Sequence, residues 1–175
     1  SANGVEKSHT VFMCIVRNLL PLFRHRNLTA RDDNAFDNSC LMRIGIDARL
    51  YGPEQGGLGR YVQKLVNYLP EVVPNDKSVE FVVLLRKNNW NLFKTADSRF
   101  TKVLAPWRWY TTAEQLMMPR LLQKHSLDLV HFPHFNVPLG YRGKYIVTIH
   151  DLIMYRFPNS RNTTRHTAVY KAKYQ

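Results

Sequence analysis

Three groups of residues carry side chains or backbone suited to chemistry. Gly52, Gly56, Gly57 and Gly59 cluster just ahead of Arg60 and an apolar, periodic segment. Glycines let backbone approach a ligand closely, and the N–H groups that open a helix favour an anion. The cluster therefore reads as a phosphate- or substrate-binding loop, or else as a plain strand-to-helix turn. His131, His134 and Asn136 form the second group, in DLVHFPHFNVP, and His150 with Asp151 forms the third, in YIVTIHDL. Histidines at strand ends suit contact with a polar ligand. A buried structural histidine is the plainer reading of each.

What must position these groups is an alternation of strands and helices that begins at Met42. The first strand spans about 42–48 and carries Ile44 and Ile46. A helix over about 59–70 follows, with Tyr61, Leu65 and Tyr68 at helical spacing beside Val62, Val66 and Leu69, so that both tyrosines read as core-facing. Pro74-Asn75-Asp76 is a turn signal. EFVVLLR, 80–86, is continuously apolar, as a buried parallel strand would be. A short helix is expected within 88–95 and a third strand over 100–105, ended by Pro106. Thr112-Ala113-Glu114-Gln115 is a capping-box pattern, and the helix it opens runs to 123–125 with a bend at Pro119. Strands over 127–132 and 145–150 and a helix over 163–174 complete the series.

Such alternation implies an α/β fold, a Rossmann-like parallel sheet with helices on both faces. Ligands in such sheets bind outside the carboxyl ends of the strands. The glycine cluster, the 131–136 group and His150-Asp151 each lie just past a strand, so one edge of the sheet should gather all three. Residues 1–41 differ. They show no sustained period, and 31–38 is polar and turn-like. They read as an extension, an upstream translated or added segment, whose helix-like part over 10–23 docks loosely if at all.

The 175 residues suffice for one domain with a real core, and an apolar content of 45% is ordinary. The formal net charge of +12 is not. A basic surface attracts nucleic acid, anionic lipid or phosphorylated small molecules. No basic run is interleaved with aromatics and no zinc-finger spacing is present, which disfavours nucleic acid. Cys14 and Cys40 lack CxxC spacing, form neither a disulfide framework nor a zinc site, and suit a reducing compartment. The apolar residues of 11–23 are interrupted by Arg17 and Asn18 and fall short of the ~20 that a membrane span needs.

The dinucleotide fingerprint G-x-G-x-x-G fails, because Val62 stands where its third glycine belongs and the loop opens late after the strand. No G-K-[ST] follows the glycines, and no D-x-D pair points to a metal-dependent transferase. Taken together, MRIGIDARLYGPEQGGLGRY, EQLMMPRLL, DLVHFPHFNVP and YIVTIHDLIMYRFP resemble the N-terminal half of group 1 retaining glycosyltransferases, most closely mannosyltransferase-like members that build polysaccharides and O-antigens. The resemblance runs in order from Met42 to Gln175. It implies the GT-B architecture and transfer of a sugar from a nucleotide-sugar donor to a hydroxyl of a glycan or lipid-linked acceptor, with retention.

By that resemblance no metal and no cofactor are expected, since protein donors and cationic side chains stabilise the leaving diphosphate. Gly56, Gly57 and Gly59 would approach the diphosphate or the acceptor. Arg60 reads equally as a cation for that charge or as a solvated helix residue. His150 matches the family histidine that contacts the donor sugar, and Asp151 would orient it or bind a hydroxyl. His131 and His134 would line the acceptor side or stabilise their loop. Asn136 would bond a sugar hydroxyl or make an Asx-type turn. Trp107, Arg108, Trp109 and Tyr110 form an aromatic cluster that packs on the following helix or faces the acceptor or a membrane. The C-terminal nucleotide-sugar domain of the family is not in 42–175. The expectation is therefore half a cleft with no appreciable transfer alone, in a cytoplasmic protein compatible with peripheral contact at the inner membrane surface. The alternative is a non-catalytic glycan- or nucleotide-binding module of the same fold.

Overall fold

The computed structural model describes residues 41–73 and 77–150. Five parallel strands form one sheet: β1 (Met42–Asp47), β2 (Val79–Leu85), β3 (Phe100–Leu104), β4 (Leu129–Phe132) and β5 (Tyr145–Val147). Their spatial order is β3-β2-β1-β4-β5. Helix α1 (Gly56–Val72) links β1 to β2, and α2 (Thr112–Lys124) links β3 to β4. The chain thus builds outward from β1 in one direction, returns, and builds outward in the other. The reversal falls between β1 and β4, where open sheets of this kind place their ligands. The Rossmann-like class expected from the sequence is the class observed.

Alternation along β2 shows how the sheet serves two layers. Val79, Phe81, Val83 and Leu85 join the core under α1, together with Tyr61, Val62, Leu65, Val66 and Leu69 of that helix. Val82 and Leu84 point the other way, into the core under α2 with Met118 and Leu122. Successive strand residues face opposite sides, so a strand buried on both must be apolar throughout. That is why β2 reads as an unbroken hydrophobic run from Phe81 to Leu85.

Four local expectations need correction. Helix α1 opens at Gly56 rather than at 59, because a short 3-10 helix, Pro53–Gln55, feeds directly into it with Pro53 at its first position. Gly56, Gly57 and Gly59 therefore sit in the first turn of a helix rather than in a loop, with Gly52 ahead of the 3-10 segment. No helix forms within 88–95; turns occupy 87–92. The buried Asn89 explains this, because its Oδ1 accepts from Arg86 N at 2.8 Å and its Nδ2 donates to the carbonyls of Ala48, Arg49 and Tyr51. A side chain so committed competes with helical backbone bonding. The cap of α2 is Thr111, one residue before the expected pattern, with its Oγ1 accepting from Glu114 N at 3.2 Å. Tyr61 is core-facing as its spacing requires, but Tyr68 is 47% exposed. The extension at 1–40, Cys14 and Cys40, the turn at 74–76, Asp151 and the helix over 163–174 lie outside the described residues.

Candidate functional site

The carboxyl end of β1 holds a buried ion cluster that sequence reasoning missed. Asp47 and Arg49 are two residues apart at the strand end. Arg49 Nε donates to Asp47 Oδ1 at 2.7 Å and Arg49 Nη2 to Asp47 Oδ2 at 2.7 Å, a two-point fork. Arg49 Nη2 also donates to Glu114 Oε1 at 2.6 Å, and Arg49 Nη1 to the Trp107 carbonyl at 3.2 Å. Arg49 is 1% exposed and Glu114 0%. Burial opposes the charge on Arg49, but Asp47 and Glu114 outweigh it and hold the guanidinium protonated more firmly than usual.

Glu114 extends this cluster to two neighbouring loops. Its Oε1 accepts from Asn136 Nδ2 at 2.6 Å and its Oε2 from Tyr110 N at 2.7 Å. Tyr110 has φ +61°, a conformation uncommon for a residue with a Cβ. One carboxylate therefore fixes the loops after β3 and β4 against the end of β1. Asn136 is one of those tethers. It is buried, its amide is bonded to Glu114, and its backbone N donates to His134 Nδ1 at 3.3 Å. Three acidic and basic side chains in D-A-R and E-Q were the available signal, but nothing in their spacing shows that they meet.

On the other side of β4 the histidines part company. His131 lies within the strand and is 1% exposed. Its Nε2 lies 2.8 Å from Thr148 Oγ1, which in turn lies 3.3 Å from Tyr61 Oη. Desolvation, with His150 nearby as a lesser cause, pushes His131 down to about 3, so it is neutral. Burial likewise pushes the Tyr61 phenol up, with the Thr148 hydrogen bond acting against it. His134 is half-buried with its ring 3.9 Å from that of Phe135. His150 is exposed just past β5. Its ring meets the Tyr61 ring edge-on at 4.7 Å, and its Nε2 lies 2.8 Å from the Pro133 carbonyl. A carbonyl only accepts, so Nε2 carries the proton and Nδ1 of neutral His150 is left as an acceptor.

The depressed value of His131 makes stability depend on pH. Its folded value, about 3, lies below the ordinary 6.5, so below 6.5 the unfolded chain binds a proton that the folded chain refuses. Stability from this group is complete above 6.5 and falls as pH drops towards 3. The expected loss approaches about 1.4 kcal/mol per pH unit on the acid side. Urea midpoints of the parent and of His131→Gln at pH 7 and pH 5 check this. The acid-induced loss should be smaller in the variant, and equal losses would remove His131 as its source.

The glycines separate into two kinds. Gly56 and Gly57 are exposed, and a Cβ built on either meets nothing within 4 Å. They border open space at the start of α1, with Arg60 exposed one turn on. Gly59 is buried, and a Cβ there would lie 2.0 Å from the Gly52 carbonyl oxygen and 2.8 Å from that of Leu50. Its place is close packing of the helix on the segment before it. The sheet edge thus presents Gly56, Gly57, Arg60 and His150 outward, while His131, Asn136 and Gly59 are internal. Among the described residues no helix is long and apolar enough to cross a membrane, and no group of three His, Cys, Asp or Glu could hold a metal ion. Comparison with protein-family models, curated proteins and solved structures returned no match.

Proposed function

We propose that this domain is the acceptor-side half of a retaining glycosyltransferase of GT-B architecture. The parent protein would move a sugar, mannose by resemblance, from a nucleotide-sugar to a hydroxyl of a glycan or lipid-linked acceptor in polysaccharide or O-antigen synthesis. The acceptor oxygen bonds to the anomeric carbon as the bond to the donor diphosphate breaks, and the acceptor proton is released. The observation that carries this reading is the placement of His150. It follows the edge strand β5, exposed, with its ring against Tyr61 of α1 and Nε2 anchored on the Pro133 carbonyl after β4. Its Nδ1 can then accept a hydroxyl of the donor sugar. Gly56 and Gly57 leave room at the start of α1 for an anionic group, with Arg60 close by. A second α/β domain would supply the nucleotide contacts, and the basic balance suits an anionic donor and contact with the inner membrane surface.

The test is a two-domain protein that carries these residues, assayed with GDP-mannose and UDP-glucose. His150→Ala is expected to lower kcat/KM by roughly tenfold to a hundredfold, the loss of one or two hydrogen bonds in the transition state. Transfer at the parent rate would take His150 out of the site. Saturable sugar-nucleotide binding with no transfer to any acceptor would favour the binding-module alternative.

A further inference from the structure

The carboxyl ends of β2 and β3 carry a second cluster, which the donor contact at His150 does not use. Arg86 directly follows β2, and the aromatic loop 107–111 joins β3 to α2. The Arg86 guanidinium carbon sits 5.0 Å over the centre of the Trp109 ring, a cation–π stack. Two N–H donors in this stack, Arg86 Nε and Trp109 Nε1, are buried and have no hydrogen-bond partner among the described residues. Buried donors are rarely left so, because each unsatisfied group costs about 1–3 kcal/mol, and more when charged. Arg86 and Trp109 are both part-exposed as residues, whereas the two donor atoms are themselves covered, so a ligand meets them only once a side chain of the stack shifts.

The backbone that carries them is fixed from both sides. Arg86 N donates to Asn89 Oδ1 at 2.8 Å, and Asn89 is tied by its amide to the segment after β1. Beyond Trp109, Tyr110 N is held by Glu114, and before it the Trp107 carbonyl accepts from Arg49. The carboxylates of Asp47, at the end of β1, and Glu114, in α2, are already committed to Arg49. Exposed Lys87 and Arg108 stand beside Arg86 and Trp109 in the chain. Among the described residues, the exposed carboxylate bonded to the 87–89 turn is that of Glu54, 3.4 Å from Asn88 Nδ2.

We propose that Arg86 and Trp109 form an oxyanion subsite that takes a phosphate group borne by a small ligand. Two donors with one positive charge call for a group that only accepts, and a phosphate offers several oxygens and a charge together. A neutral hydroxyl would satisfy one donor and bring a proton of its own. The subsite is separate from His150 and stands or falls independently of the transferase reading.

Indole N–H signals of the nitrogen-labelled chain test this, with Trp90, Trp107 and Trp109 distinguished by Trp→Phe variants. Titration with glucose 1-phosphate at constant ionic strength should give a saturable shift at Trp109, with little change at Trp90. Arg86→Gln should weaken that binding by roughly tenfold or more, as loss of a charged hydrogen bond requires. Trp109→Phe, which keeps the stack and removes only the N–H, should weaken it as well when followed by calorimetry. Glycerol 1-phosphate separates a lipid-headgroup phosphate from a sugar-borne one, according to which binds tighter. No saturable shift at Trp109, an equal shift in Arg86→Gln, or an equal shift with neutral glucose would each overturn the proposal.

Discussion

Glu114→Leu should cost this domain about 3–5 kcal/mol of folding stability, far more than its position on the first turn of α2 would indicate. The residue has no exposed surface and accepts three hydrogen bonds, from Arg49, Asn136 and Tyr110. Removing the carboxylate leaves Arg49 with only Asp47 to balance it and takes one hydrogen bond each from Asn136 Nδ2 and Tyr110 N. Leaving a buried charge under-compensated is the costly event, rather than the loss of the pair as such. Arg49→Met should be at least as damaging, because it leaves Asp47 and Glu114 facing one another without the cation between them.

The two variants should not be additive. Once Glu114 is gone, removing Arg49 relieves part of the imbalance, so the double variant should fall short of the sum by about 1–3 kcal/mol. Glu80→Ala is the control. Its partner Arg43 lies 3.3 Å away, but both side chains are about a third exposed, and such pairs are worth less than about 1 kcal/mol. Denaturant midpoints of the four variants measure all of this. A loss below about 1 kcal/mol in Glu114→Leu, or a strictly additive cycle, would show that the cluster is not a coupled unit.

That cluster also marks where the sequence stops speaking. The strands are readable because each carries apolar residues, continuous in β2 and interrupted by polar ones in β1 and β3, and their order along the chain follows from simple alternation. The open parallel sheet followed, and with it the edge on which ligands bind. Individual side-chain fates did not follow. His131 and His134 are three residues apart in one motif, yet one is within a strand under the helix layer and the other is at the edge, because strand periodicity ends between them. Asn136 has the residue type of a sugar ligand and is consumed by Glu114, a partner 22 positions away in sequence. Asn89 abolished a helix through contacts to residues about 40 positions earlier. Local pattern carries periodicity and turn chemistry, whereas these outcomes depend on which strand ends become neighbours in a crossed-over sheet.

Gly59→Ala and Gly57→Ala should have opposite effects on stability, although the two residues share one motif and one helix. At Gly59 the added methyl would lie 2.0 Å from one backbone oxygen and 2.8 Å from another. Backbone cannot rotate away as a side-chain tip can, so α1 must lift from the 50–52 segment. That displaces Tyr61 and Val62 from the core as well. The expected loss is about 3 kcal/mol or more, at the upper end of overpacking costs. At Gly57 the methyl meets open space, and helix propensity favours alanine by up to about 1 kcal/mol. Thermal or urea unfolding of the two variants separates them directly, and a neutral Gly59→Ala would mean that the helix is not seated as described. The same pair divides packing from ligand contact. If the start of α1 receives an anionic group, the Gly57 methyl occupies its approach, and Gly57→Ala should bind sugar-nucleotide more weakly in the two-domain protein while unfolding later. A variant that is both more stable and fully competent would confine the glycine motif to packing, and the anion would have to be held elsewhere.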